Sequence, residues 1–255
     1  MPDPTAIAHF LGPHSRRFDV DLLPVCASTN AVLLARAEAG APSGSVVLAE
    51  TQTAGRGRRG RTWFSAPGDS LTFSLLWRFA PGTAPAGLSL AVGLAAAMAI
   101  EKLGAGEAAL KWPNDLLQDG KKLGGILVEL VPGAPHVAVI GIGLNLRLPA
   151  TLPQELQERS AALDAAVDAN RLLAAILAEL LAVLEIFAAA GFAGLRAAWR
   201  AHHAFEDARV QLLSDFAPPR PGICRGVDSD GALLLETDGR VERILSGEIS
   251  LRGAA

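Results

Sequence analysis

Two textures meet near Asp207, and one layer of structure cannot satisfy both. Upstream, LLAAILAELLAVLEIFAAAG (172–191) repeats apolar residues at helical spacing through Leu173, Ile176, Leu177, Leu180, Leu184 and Phe187. Downstream, ARVQLLSD and PGICRGVDSDGALLLETDGRVERILSGEISL are short β-rich runs punctuated by the turn pairs Asp230-Gly231 and Asp238-Gly239. A helical body followed by compact hairpins predicts two units: a larger domain over residues 1–206 and a small β domain over 207–255.

Within the larger unit the periods alternate. STNAVLLARAEAG (28–40) reads as a helix with Ser28 or Thr29 as N-cap and Gly40 past its end, and 87–103 as another, ended by Gly104. Strands are expected at 44–50, 71–79, 108–112, 124–130 and 136–146, and a helical half at 168–203. Residues 1–27 are loosely patterned and broken by Pro13 and Pro24. The run 172–191 is long enough to cross a bilayer, yet Glu179 and Glu185 interrupt it. It is expected to be a soluble core helix with two solvent-facing carboxylates, so no membrane role is assigned. No basic n-region precedes an apolar stretch at the start, and Cys26 and Cys224 belong to no C-x-x-C pair. Reduced thiols in a cytoplasmic protein are the expectation.

The stretch GRGRRGRTW (55–63) fits G-x-G-x-x-G, but its context fits no dinucleotide-binding turn. RTWFSAPGDS follows, with no helical period, and no carboxylate stands about twenty residues on, where ribose binding needs one. Kinase and Walker A signatures are also missing. Against a solvated basic run stand two details. Glycines alternate with Arg56, Arg58, Arg59 and Arg61, so the backbone can approach a ligand. Trp63 and Phe64 then supply an apolar wall. Guanidiniums grip phosphate or carboxylate bidentately, so the loop suits a polyanionic small molecule. With a formal net charge of −3, the chain has no general attraction to nucleic acid.

A second constellation is LKWPNDLLQDGKKLGGILVEL (110–130), where Lys111, Trp112, Asn114 and Asp115 surround Pro113. Lys121, Lys122 and the pair Gly124-Gly125 follow; a lysine pair in a hairpin turn is ordinarily solvent-facing. Asn145 ends an apolar strand, the ordinary place for a satisfied asparagine. The five histidines form no metal-ligand spacing, and His202-His203 reads as surface. No nucleophile elbow is present.

Taken in order, STN (28–30), ETQTAGRGRRGRTWFS (50–65), KWPNDL (111–116), KKLGGILVE (121–129), GIGLN (141–145) and SGEISLR (246–252) resemble the biotin protein ligases, from about Leu23 to Arg252. The resemblance implies an α+β fold: a central mixed β-sheet flanked by helices, as in class II synthetase-like biotin/lipoate ligases, then a small SH3-like β-barrel. It implies that Ser28, Thr29, Asn30, Gln52, Gly55, Arg56, Arg58, Lys122, Gly124 and Gly125 bind biotin. Arg58, Arg59, Arg61, Trp63, Lys111, Asn114 and Asn145 are implied for ATP and the adenylate, and Arg56, Arg58, Lys111, Lys122 and Asp115 for catalysis. Ala27 stands where the family pattern has an aspartate. The stretch before STN is too short for a winged helix-turn-helix, so no DNA binding is expected.

The implied enzyme is an ATP-dependent biotin–[acetyl-CoA-carboxylase] ligase. Biotin and MgATP give biotinyl-5′-AMP and pyrophosphate, and a lysine of a biotin carboxyl carrier protein then takes the biotinyl group. Mg²⁺ would arrive on the nucleotide, with Asp115 as the nearest candidate side chain. The arginine loop is expected to order over its ligands. A homodimer is compatible with the resemblance. The rival readings are a lipoate ligase, a non-catalytic biotin sensor and a nucleic-acid-binding module.

Overall fold

The computed structural model describes residues 2–149, 152–163, 167–214, 218–245 and 249–253. The expected SGEISLR segment therefore lies partly outside the described residues. Residues 4–26 are more regular than their sequence suggests. Helix α1 (Pro4–Leu11) starts on Asp3, whose carboxylate accepts from the Thr5 amide. A short 3-10 turn leads into strand β1 (Asp19–Cys26). Pro24 does not break β1, because β1 is an edge strand and Pro24 falls between the paired residues Leu23 and Val25.

Helix α2 (Thr29–Glu38), with Ser28 at its N-cap, leads to β2 (Ser45–Gln52), β3 (Ser70–Arg78) and helix α3 (Leu88–Lys102). Then come β4 (Ala109–Lys111), β5 (Asp115–Gln118), β6 (Lys121–Val131) and β7 (Ala134–Asn145). These strands form one sheet in the order β1-β2-β3-β7-β6-β5-β4, mixed because β1 and β2 pair in parallel and the others antiparallel. Strand β5 was not expected from pattern. It is made by the turn at Asp119 and Gly120, both left-handed (φ 50° and 74°), which folds β6 back onto it.

Alternation along β3 decides what each sheet face does. Leu71, Phe73, Leu75 and Trp77 point into the main core with residues of α3 and helix α5 (Ala169–Ala190), which follows the short helix α4 (Gln154–Arg159). Leu76 points the other way and packs with Val47 and Val139 under Leu33 and Ala37 of α2. Helix α2 is only ten residues long, so it covers one end of this second face. Asp168 caps α5 by accepting from the Asn170 and Arg171 amides at 2.8 and 3.3 Å. Glu179 departs from expectation: its side chain is 14% exposed and pairs with Lys102 Nζ at 2.9 Å, so it lies at the flank of the core, whereas Glu185 is exposed.

Helix α6 (Arg196–Ala201) leads to strands β8 (Arg209–Ser214), β9 (Arg220–Val227), β10 (Leu233–Thr237), β11 (Arg240–Ile244) and β12 (Ile249–Gly253). They form a separate antiparallel sheet ordered β11-β10-β9-β8-β12. Val210, Cys224, Leu233 and Leu235 belong to the same buried cluster as α3 and α5. Fully buried Trp112 crosses between the sheets, its indole N–H donating to the Gly231 carbonyl at 3.1 Å. The surface reading of His203 is overturned: its side chain is wholly buried, stacked on Trp199 at 4.5 Å with Nδ1 3.3 Å from Glu206. Burial holds its pKa below the usual histidine value, although Glu206 pulls the other way. Both cysteines are free.

Candidate active site

Beyond the N-terminus of α2 the second sheet face is no longer covered by that helix, and a cavity of about 290 Å³ opens there, with Leu156 of α4 in its wall. Ser70, Thr72 and the buried Ser74 alternate along β3 and so share the face that Leu76 shows to α2. Three hydroxyls in an otherwise apolar strand need partners, because a buried polar group left unpaired is costly. Ser74 Oγ lies 2.5 Å from Asn30 Oδ1 and 2.7 Å from Thr29 Oγ1. The Thr29 amide donates to Gln52 Oε1 at 2.7 Å, and Thr29 Oγ1 lies 3.1 Å from the same oxygen. Asn30 Nδ2 donates to Glu129 Oε2 at 2.8 Å and to the Leu127 carbonyl at 3.2 Å. The floor is thus a closed hydrogen-bond network whose carboxamide and hydroxyl groups are fixed before any ligand arrives.

Two glycines of β7 make that arrangement sterically feasible. A methyl group at Gly141 would overlap the Asn30 carboxamide, and one at Gly143 would overlap the Trp63 indole. Trp63 lies against Gly143, and its Nε1–H donates to Thr72 Oγ1 at 3.3 Å. The arginine segment folds back on itself, with the Trp63 amide donating to the Gly55 carbonyl (2.9 Å) and the Gly57 amide to the Arg61 carbonyl (2.7 Å). Arg59 and Gly60 at its tip are both left-handed, with φ of 62° and 67°. Arg56 pairs with Glu129 at 3.2 Å, and Arg58 Nη1 donates to Asn114 Oδ1 at 3.3 Å. Burial lowers the Arg58 pKa, nearby Asp115 opposes that shift, and Arg59 and Arg61 add to it.

At the β4–β5 turn the lysines converge. Lys122 Nζ is 2.6 Å from Asp115 Oδ1 and Lys111 Nζ is 3.0 Å from Oδ2. Burial pushes the Asp115 carboxyl up, but Lys122 and Lys111 outweigh it and hold the group below the usual carboxylate range. Gly125 lies beside Lys122, whose Nζ would sit at ordinary contact distance, 3.4 Å, from a methyl placed there. Lys121, by contrast, is exposed, as a hairpin lysine ordinarily is. Asn145 is more than a strand end: its Nδ2 donates to the Ala161 carbonyl at 2.9 Å, tying the segment before α5 to the cavity wall.

Of the residues singled out in the sequence, Ser28, Thr29, Asn30, Gln52, Arg56, Arg58, Arg59, Arg61, Trp63, Lys111, Asn114, Asp115, Lys122, Gly125 and Asn145 all line this cavity. Gly55 and Gly124 do not. A methyl at Gly55 would lie 2.5 Å from the Trp63 carbonyl, and one at Gly124 would lie 2.5 Å from the Gly143 carbonyl. They permit loop closure and strand contact. Sequence reading missed Thr72, Ser74, Glu129, Gly141 and Gly143; the polar alternation in SLTFS and the glycine alternation in GIG were the available signals.

As for a metal, no group of three or more His, Cys, Asp or Glu among the described residues is placed to hold one. Both Asp115 oxygens are occupied by ammonium groups. This donor set fits an anchor for two lysines and does not fit a resident cation.

Comparison with known proteins supplies the family. A model of the Biotin/lipoate A/B protein ligase family matches residues 22–145, and one of the Biotin protein ligase C terminal domain matches residues 221–252. The bifunctional ligase/repressor BirA of Escherichia coli is 42% identical over 92% of this chain and 74% of its own. The biotin–[acetyl-CoA-carboxylase] ligase of Mycobacterium tuberculosis is 37% identical over 94% of this chain and 91% of its own. Among solved structures, the biotin protein ligase of Aquifex aeolicus in complex with biotin and ATP superposes with a TM-score of 0.80 at 29% identity, covering 92% of this chain and 99% of that one. With the mixed sheet, the separate C-terminal sheet and these relatives in agreement, the chain belongs to the biotin protein ligase family and is an ATP-dependent biotin ligase.

Proposed function

We propose that the cavity joins biotin to ATP as biotinyl-5′-AMP and then passes the biotinyl group to a lysine of a carboxylase carrier domain. The observation that carries this reading is the juxtaposition of a neutral hydrogen-bonding floor with a cationic wall. Thr29, Asn30 and Gln52 form the floor, with Ser74 bonded beneath them; Arg58, Lys111 and Lys122 meet around Asp115. A ligand with a polar, uncharged head and a carboxylate tail matches that division, and so does a nucleoside triphosphate brought to the same wall.

In the first half-reaction a carboxylate oxygen attacks the α-phosphorus of MgATP, and pyrophosphate leaves. An anion must approach a polyanion, so fixed cations lower the barrier by meeting charge as it develops. Lys122, Arg56 and Arg58 are assigned to the carboxylate and the transferring phosphate, with Gly125 beside the Lys122 ammonium. Arg59, Arg61, Trp63, Lys111, Asn114 and Asn145 are assigned to the nucleotide, and Ser28 to the biotin side with the floor residues. Asp115 positions the two lysines. Mg²⁺ enters as part of the nucleotide substrate. In the second half-reaction the carrier amine, having lost a proton, attacks the acyl carbon and AMP leaves; alignment of the two reactants supplies much of the acceleration.

The test is ATP–pyrophosphate exchange with biotin, with lipoate and with no acid, followed by labelling of a carrier domain. Exchange with biotin and transfer to the carrier are expected. Exchange with lipoate alone replaces the substrate, and biotin binding without exchange replaces the enzyme by a sensor.

A further inference from the structure

Resting on that reading of the cavity, we infer that Glu129 is a positioning residue that couples the biotin floor to the arginine loop through a single carboxylate oxygen. Glu129 Oε2 receives Asn30 Nδ2 at 2.8 Å from one side and Arg56 Nη2 at 3.2 Å from the other. Asn30 has no rotational slack to lose: its Oδ1 faces Ser74 Oγ at 2.5 Å, its Nδ2 also donates to the Leu127 carbonyl, and Gly141 is bare beneath it. The chain of contacts therefore runs Ser74–Asn30–Glu129–Arg56, from the middle of the sheet to the second residue of the loop. Glu129 is on β6 at the same face as Leu127, two residues along, and its carboxylate is only 26% exposed. A rigid carboxamide thus holds the carboxylate, and the carboxylate aims the guanidinium. Arg56 is consequently placed by the floor of the cavity and not by the loop that carries it. Asn30, a floor residue on the biotin side, thus also acts through Glu129.

Glu129→Gln keeps an oxygen for Asn30 and removes the charge that holds Arg56. Limited tryptic digestion of the ligand-free chain reads the consequence without any activity. Cleavage after Arg56, Arg58, Arg59 and Arg61 is expected to quicken about two- to fivefold, the range for a half-exposed ion pair, because cleavage follows the open population. Cleavage after Arg159, outside the loop, should not change. Asn30→Ala is expected to give a similar increase, and the double variant no more than either single change, since both break one relay. Unchanged loop cleavage in a Glu129→Gln protein with native circular dichroism, or additive effects in the double variant, would overturn the inference. In biotin-dependent exchange, Glu129→Gln should lower kcat/KM for biotin, because it misplaces a cation assigned to the carboxylate and the transferring phosphate; an unchanged kcat/KM would also overturn the inference. Should Glu129→Gln not fold, Glu129→Asp is carried through the same digestion, with the same two outcomes. If the unmodified chain shows no exchange at all, the proposed function falls while the digestion still decides the relay.

Discussion

One carboxylate between two ammonium groups makes Asp115 the residue on which the charge of the site turns. Its folded pKa lies below the unfolded value near 3.8, because the two lysines outweigh burial. The stabilisation is therefore complete above that unfolded value and is lost as pH falls through the lower folded one. Asp115→Asn should destabilise the protein at neutral pH by about 2–3 kcal/mol, by leaving two cations facing each other without their anion. The gap between variant and parent, followed by urea denaturation, should shrink as the medium is acidified past 3.8 and close in stronger acid. Lys122→Met makes a different prediction. It removes a cation assigned to the reacting groups, so biotin-dependent exchange should fall by about 10²–10³ in kcat/KM. Stability should fall too, but by less than in Asp115→Asn, since Lys111 still holds Asp115.

At the scale of elements, the second sheet face explains why the site is where it is. A helix of ten residues covers Val47, Leu76 and Val139 and stops, and the hydroxyls and glycines beyond it become a floor. Gly143→Ala should displace Trp63 from its seat and raise the ATP KM about tenfold in exchange assays, with a smaller effect on biotin, because the overlap is with the indole and not with Asn30. Biotin and ATP together should slow tryptic cleavage of the arginine loop, as expected of a segment rich in glycine that orders on its ligands; equal rates with and without ligand would exclude that ordering. Much of this was legible in the sequence. The arginines, Lys122 and the KWPND turn stood out because charged residues interrupted strands that had no folding use for them. Ser74 and Glu129 did not stand out, since their meaning depends on which strands are neighbours, and β3 meets β7 and β7 meets β6 only in the sheet order. Strand β1 was hidden by Pro24, which an edge tolerates and an interior strand does not.

For the whole molecule, the change of texture at Asp207 marks a change of sheet but not of core. Val210, Cys224 and Leu235 share one buried cluster with Leu94 and Leu177. Heat should therefore unfold the chain in a single transition, with calorimetric and van't Hoff enthalpies equal, and Trp112→Phe should lower that transition without splitting it. Resolution into two peaks would separate the sheets energetically. The indole of Trp112 also has a consequence for how such a chain can change over time. It sits one residue from Lys111 and donates to a backbone carbonyl in the turn before β10, so the last strands are part of the scaffold of the charged turn. A chimera that borrowed its C-terminal strands from a relative would inherit a seat shaped for another tryptophan. The two halves look exchangeable when written out in letters, yet recombination at that junction would disturb the lysines, and inheritance has reason to keep them together.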